Sequence, residues 1–253
     1  MHVLSAAAAA ISKVGLVEQL LLAWFDEHAR DLPWRRTRDP YAILVSEVML
    51  QQTQVERVVP RYVRWLERWP TAQALADAST ADVIREWQGL GYNRRAVNLK
   101  RAAEHVAAHG WPDDLTELPG VGPYTAAALA NFAFERPVFP VDTNVRRVQE
   151  RTGHEFMPRA AQALMDLGAT VCLARVPRCG VCPLAAACPS RGRRYEPLRR
   201  QSRFEGSFRQ RRAATLRAVA ADPRPVKELD RTAVAALARD GLVSVRGGIV
   251  DLP

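Results

Sequence analysis

Leu115–Phe134 reads LTELPGVGPYTAAALANFAF. A helix end meets Pro119-Gly120-Val121-Gly122-Pro123, and a second apolar helix begins at Thr125. Gly120 and Gly122 permit backbone conformations denied to other residues. They also let main-chain N–H groups point outward at a helix N-terminus, which is a ready anion site. The plainer alternative is a tight turn between two packed helices with only a structural role.

The surrounding chain fits a helical fold. Val17–Ala29 places Leu20, Leu21, Ala23, Trp24 and Phe25 at helical spacing. A helix is predicted over Ile43–Val59 after the Pro40 break. Another covers Ala81–Trp87 behind the capping candidates Ser79 and Thr80, and a third runs Asn93–His109 up to Gly110. Strand signals are sparse in this part of the chain: Arg136–Val141 is short and interrupted by proline. The class is mostly α. Residues 1–16 read as a leader, 17–190 as the main domain, 191–207 as an arginine-rich linker and 208–253 as a small module. In that module, helices over Arg212–Ala221 and Thr232–Asp240 precede a hairpin, Val243–Leu252, around Gly247-Gly248, a winged-helix-like pattern.

Composition favours a polyanionic partner. The 253 residues hold 36 Lys and Arg against 27 Asp and Glu, a net charge of +9. Arg191–Arg212 alone has nine arginines and two glutamates; such a run is a solvated linker or a phosphate-contacting one. Ser5–Ile11 is Ala-rich, but Lys13 and Glu18 soon interrupt it and no basic segment precedes it, unlike a signal peptide. No stretch reaches the roughly 18 apolar residues of a membrane span. The expectation is a cytoplasmic, nucleoid-associated monomer that does not enter membranes.

All four cysteines, Cys172, Cys179, Cys182 and Cys188, fall in one window with spacing C-x6-C-x2-C-x5-C. Four thiolates on one loop suit an iron–sulfur cluster. Structural zinc sites usually present two C-x2-4-C knuckles across a longer gap, and only one close pair exists here. Disulfides would need an oxidising compartment.

The turn at Gly120 and Gly122 resembles a helix–hairpin–helix motif, which holds DNA phosphates without reading bases. Downstream, Pro140 precedes Val141-Asp142-Thr143-Asn144-Val145. Alone, Asp142 would be read as a helix N-cap. Together the hairpin, this aspartate and the four-cysteine loop resemble the helix–hairpin–helix DNA glycosylases of the endonuclease III family, over about residues 17–190. The resemblance implies a two-lobed glycosylase fold with a [4Fe–4S] cluster on the four cysteines and Asp142 as the essential carboxylate. Family members that also cut the strand carry a lysine just before the hairpin threonine. Here that position is Tyr124, so no Schiff base forms and a monofunctional enzyme is expected.

Leu32-Pro33-Trp34-Arg35, then Ser46-Glu47-Val48-Met49-Leu50-Gln51-Gln52-Thr53-Gln54-Val55, then Gly89-Leu90-Gly91-Tyr92 are similar to the MutY adenine glycosylases. That resemblance makes Glu47 the general acid, Gln52 the side chain that fills the space left in the duplex and Tyr92 a wedge between bases. Trp34, Arg35, Leu50, Gly120, Gly122 and Thr125 join them as candidate DNA contacts, and Asn144 and Tyr124 as positioning donors. The chemistry suits two carboxyl groups. Breaking the adenine N-glycosidic bond needs a protonated base and a stabilised sugar cation, tasks that one protonated and one ionised carboxyl divide. Glu47, on an apolar helix, suits the donor; Asp142, at a helix N-terminus, suits the anion. The nucleotide must first be flipped from the stack. The partner implied is double-stranded DNA holding a mismatch or an oxidised base.

Three features depart from the MutY pattern. Only about 45 residues follow the linker, too few for the large domain that reads 8-oxoguanine in those proteins. Thr143 replaces a glycine, and Asp166 a glutamate. Trp34-Arg35-Arg36-Thr37-Arg38-Asp39-Pro40 with Tyr124 also resembles the thymine-mismatch glycosylases. The function expected is therefore excision of adenine opposite 8-oxoguanine or guanine. A thymine or uracil mismatch glycosylase and a non-catalytic Fe–S regulator that binds DNA stand as alternatives.

Overall fold

A computed structural model describes residues 2–196 and 203–253, with the backbone alone for residues 2–14. Six residues of the arginine-rich segment, 197–202, lie outside the described residues. In chain order the helices are α1 (His2–His28), α2 (Pro40–Leu50), α3 (Val55–Arg68), α4 (Ala72–Asp77), α5 (Thr80–Glu86), α6 (Arg94–His109), α7 (Pro123–Phe132), α8 (Thr143–Thr152), α9 (Ala161–Thr170), α10 (Phe208–Ala221) and α11 (Arg231–Arg239). Three short strands, β1 (Arg224–Pro225), β2 (Ser244–Arg246) and β3 (Ile249–Asp251), form an antiparallel sheet in the order β1-β3-β2. The mostly helical class is as expected.

The chain forms two units, each built from two separated stretches: Met1–Leu32 with Ala130–Arg200, and Pro33–Leu129 with Gln201–Pro253. In the first, Val17 and Leu21 of α1 are buried among Val145 and Val148 of α8, Leu164 and Leu167 of α9, and Leu184 of the cysteine loop. Two buried carboxylates tie α1 and the residues just after it to this core. Glu18 accepts from Arg159 Nε at 2.6 Å and from the Met157 N–H at 2.9 Å. Asp166, fully buried, accepts from Arg30 Nε at 2.6 Å and from the Arg30 N–H at 3.0 Å. Such pairing is what lets a charge sit in an apolar interior.

The second unit has an aromatic core. The Trp65 ring meets Trp69 edge-on at 4.7 Å and Trp87 at 5.5 Å. The Tyr41 hydroxyl donates to the Trp69 carbonyl (3.0 Å) and accepts from Trp65 Nε1 (3.3 Å), and burial pushes that phenol above the ordinary tyrosine range. The C-terminal module belongs to this unit. Leu216, Val219, Val234, Leu237, Val250 and Leu252 close over Ile84 of α5 and Val97 of α6. Arg85 Nε donates to the Ala220 carbonyl at 3.3 Å, and Asp240 pairs with Arg212 and Arg94 at 2.5 and 3.7 Å.

Local signals placed most helix ends. Ser79 caps α5 through the Asp82 N–H, and Gly110, at φ +77°, ends α6. The hairpin turns at Gly247-Gly248, with φ of +55° and +76°. One expectation fails, and one weak strand signal proves empty. Ile43–Val59 is not one helix, because α2 stops at Leu50 and Gln52 takes φ +56° before α3 begins. Arg136–Val141 is not a strand. Pro137 and Pro140 remove ladder donors, and the segment is held instead by Arg136 N–H to the Ala130 carbonyl and by Asn131 Nδ2 to the Val138 carbonyl. No helix among the described residues is long and apolar enough to cross a membrane.

Candidate functional site

Asp142 is the N-cap of α8, with its Oδ1 accepting from the Val145 N–H at 2.6 Å. Its second oxygen, Oδ2, accepts from Asn144 Nδ2 at 2.9 Å. Asn144 Oδ1 in turn accepts from Arg147 Nη2 at 2.8 Å. The buried Arg147 guanidinium also donates to the Gly168 carbonyl (2.6 Å) and to the Cys172 carbonyl (2.7 Å). A row of hydrogen bonds thus runs from Asp142 to the first cysteine of the loop. Gly168 makes room for it, since a Cβ there would lie 2.5 Å from Asn144 Cβ. Capping and a chemical role are compatible here. One oxygen saturates the helix end while a neighbouring amide orients the carboxylate.

The four cysteines form no disulfide with one another and together line one pocket with Val148, Arg151 and Leu184. Burial, reinforced by the charges of the other three sulfurs, pushes the Cys182 thiol up to about 11. N–H groups aim at the sulfurs: Arg151 Nη1 reaches Cys172 Sγ at 3.4 Å and Gly192 N reaches Cys179 Sγ at 3.3 Å. Four cysteine sulfurs with N–H donors around them are the kind of donor set that an iron–sulfur cluster takes. No group of three or more His, Cys, Asp or Glu among the described residues is placed to hold a metal ion.

Glu47 is in the other unit, buried on α2 beside Ser46, whose hydroxyl donates to the Ile43 carbonyl. Two loops of the same unit carry Gln52 and Tyr92. Both residues are exposed and both lie in the left-handed region, at φ +56° and +47°. Non-glycine residues there cost on the order of 1–3 kcal/mol each and need surroundings that hold them. The Tyr92 hydroxyl is 3.5 Å from Arg209 Nη1 at the start of α10. Trp34 is buried edge-on to Tyr62 at 5.4 Å, while Arg35 and Leu50 are half-buried.

The hairpin is tighter than expected. Its first arm is a single 3-10 turn, Leu115–Glu117, capped by Asp114, and its second is α7, beginning at Pro123. Gly120 has φ +80°, and a Cβ there would come within 2.7 Å of Asn98 Cβ on α6. Gly122 needs neither freedom: its φ is not in the left-handed region and a Cβ would meet nothing within 4 Å. Thr125 is buried and its hydroxyl accepts from Gln51 Nε2 at 3.3 Å; Tyr124 is half-buried.

Arg95 and Arg147 were not among the residues singled out from the sequence. Each is one arginine among many on a helix, which reads as a solvated charge. Gly168 inside α9 was the one available hint of a close approach near Asn144.

Residues 45–158 match the model of the HhH-GPD superfamily base excision DNA repair protein. The adenine DNA glycosylase of Mycobacterium tuberculosis is 45% identical over 250 aligned residues, covering 83% of this chain and 81% of that protein. A thermostable thymine-DNA glycosylase superposes with a TM-score of 0.65 at 27% identity, over 72% of this chain and 98% of that one. Endonuclease III, in a trapped covalent intermediate with DNA, shares the fold with a TM-score of 0.61 at 22% identity, over 71% and 95%. The hairpin, the capped aspartate and the four-cysteine loop thus sit in a chain that belongs to the HhH-GPD superfamily, in its MutY-type adenine DNA glycosylase family.

Proposed function

We propose that the chain is a monofunctional DNA glycosylase of base excision repair that hydrolyses the N-glycosidic bond of adenine opposite 8-oxoguanine or guanine. The observation that carries this reading is the 45% identity to an adenine DNA glycosylase over most of both chains. The tethered Asp142 carboxylate supports it at the level of chemistry. Glu47 delivers a proton to N7 of the flipped adenine, and the C1′–N9 bond breaks with its electron pair leaving on the base. The Asp142 carboxylate stabilises the sugar cation, and water adds at C1′, giving up its proton to the Glu47 carboxylate and so restoring the acid. Asn144 keeps that carboxylate oriented, and Tyr124 contributes a hydroxyl where lyases hold an amine. Gln52 and Tyr92 enter the duplex, and main-chain N–H groups beyond Gly120 hold a phosphate.

Cys172, Cys179, Cys182 and Cys188 are the residues to hold a [4Fe–4S] cluster, whose iron–thiolate bonds would fix the loop. Arg175, Arg178 and the arginines after Ser190 add phosphate contacts that are independent of sequence.

The test is a panel of duplexes with A:8-oxoG, A:G, T:G and U:G pairs, in which base loss is revealed by hot alkali. Release from the two adenine pairs is the expected result. The 27% identity to a thymine-DNA glycosylase favours a second reading, and release from T:G or U:G instead would replace the first by it.

A further inference from the structure

We propose that Arg95 is a positioning residue that locks Gln52 and Tyr92 into one pre-formed pair. The proposal rests on the reading that these two side chains enter the duplex. They stand forty residues apart in sequence, on separate loops, and both hold a backbone conformation that side chains avoid. One guanidinium satisfies both loops. From the Gln52 side, Arg95 Nη1 donates to the carbonyls of Val48 (2.6 Å) and Gln51 (2.7 Å), with Met49 at 3.2 Å, and Nη2 reaches Thr53 Oγ1 at 3.2 Å. From the Tyr92 side, Nη2 donates to the carbonyls of Gly91 (2.9 Å) and Leu90 (3.2 Å). The same cation lies 5.2 Å from the Trp87 ring and 5.6 Å from the Tyr92 ring.

The partners explain the device. Helix α2 ends with carbonyls that have no partner within the helix, and Arg95 takes them while the chain turns through Gln52. All the acceptors are neutral oxygens, so the planar fork of donors is committed to shape rather than to an ion pair. Lysine cannot copy it, because an ammonium has three donors and no fork. Burial pulls the guanidinium down to about 10, so it remains charged at neutral pH. A pair of fingers ordered before DNA arrives gives up less conformational entropy on insertion.

The test compares Arg95→Lys with Gln52→Ala/Tyr92→Ala. Hydrogen exchange on the free protein should speed up in residues 51–54 and 89–93 together, with α3 and α6 unchanged. With 2-aminopurine beside the mismatch, the fluorescence rise on binding should shrink, and single-turnover base release should slow by ~10- to 100-fold, as misplaced contacts do. In the Gln52→Ala/Tyr92→Ala background, Arg95→Lys should cost no more. Unchanged exchange, exchange rising in one loop only, or a fully additive loss would overturn the proposal. If Gln52→Ala/Tyr92→Ala keeps the wild-type fluorescence rise, the insertion reading falls and the proposal with it, a failure distinguishable from the others. Thr53→Val, which removes one acceptor and leaves Arg95 in place, should give a weaker version of the same two-loop pattern. Exchange unchanged in both loops there would count against the clamp even if Arg95→Lys does not fold.

Discussion

Asp142→Asn separates the two tasks of that side chain. Asparagine is as good an N-cap as aspartate, so its amide oxygen keeps the Val145 N–H now held at 2.6 Å. The other bond is lost. Asn144 offers an NH2 to Asp142 Oδ2, and its own oxygen is held by Arg147 at 2.8 Å, so a second amide at position 142 would set NH2 against NH2. One hydrogen bond is worth about 1 kcal/mol, which in a chain of this size lowers the melting temperature by roughly 2–4 °C. Removing the charge that faces a developing cation should cost far more, ~10²–10³ in rate or about 3–4 kcal/mol. The assay is single-turnover base release from an A:8-oxoG duplex, paired with thermal melting and gel-shift binding. Binding and folding should survive where base release does not. A rate loss of only about fivefold, what 1 kcal/mol of disturbed geometry gives, would refute the assignment of Asp142 to catalysis.

The purified protein should be brown and hold about four irons, and Cys182→Ser should lose them; one zinc and no iron, measured by elemental analysis, would sink the cluster. Because Tyr124 stands where lyases have lysine, borohydride should trap almost no protein on DNA, and product strands should stay whole until heated in alkali; efficient trapping would reveal another amine at work. Leu216→Ala should destabilise by about 2–5 kcal/mol and lower the melting of the whole second unit. A module that melts separately from α5 and α6 would contradict the shared core. Asp166→Ala should remove the acceptor of the Arg30 N–H and Nε at a cost of about 1–3 kcal/mol, read by denaturant unfolding.

What was legible in the sequence was written in local signals. Ser79 and Gly110 mark helix ends because capping needs only neighbours a few residues away, and the Gly247-Gly248 turn announces its hairpin in the same way. The cysteine spacing and the residues around Asp142 were equally local. The break after Leu50 was invisible because Gln51-Gln52-Thr53-Gln54 contains neither glycine nor proline; the carbonyls of the turn are held by the Arg95 guanidinium, 44 residues downstream of Gln51. Gly122 was read as the twin of Gly120, but only Gly120 is pressed against another backbone-bearing element, at Asn98. The partners of Asp142 stayed hidden for the same reason. Arg147 looks like any exposed helix arginine until Gly168 and Cys172 fold back onto it.

The interrupted make-up of both units has a temporal consequence. Val17 and Leu21 leave the ribosome more than a hundred residues before those that cover them, from Val145 to Leu184. Ile84 and Val97 wait about as long, until Leu216–Leu252 has been made. At ordinary elongation rates that interval is on the order of ten to thirty seconds. During it, the nascent chain presents apolar faces with no mate, a window for chaperones and for premature association. Loss of the stretch from Leu216 to Leu252 would make that window permanent, so this module acts as the latch that ends the second unit's vulnerable youth.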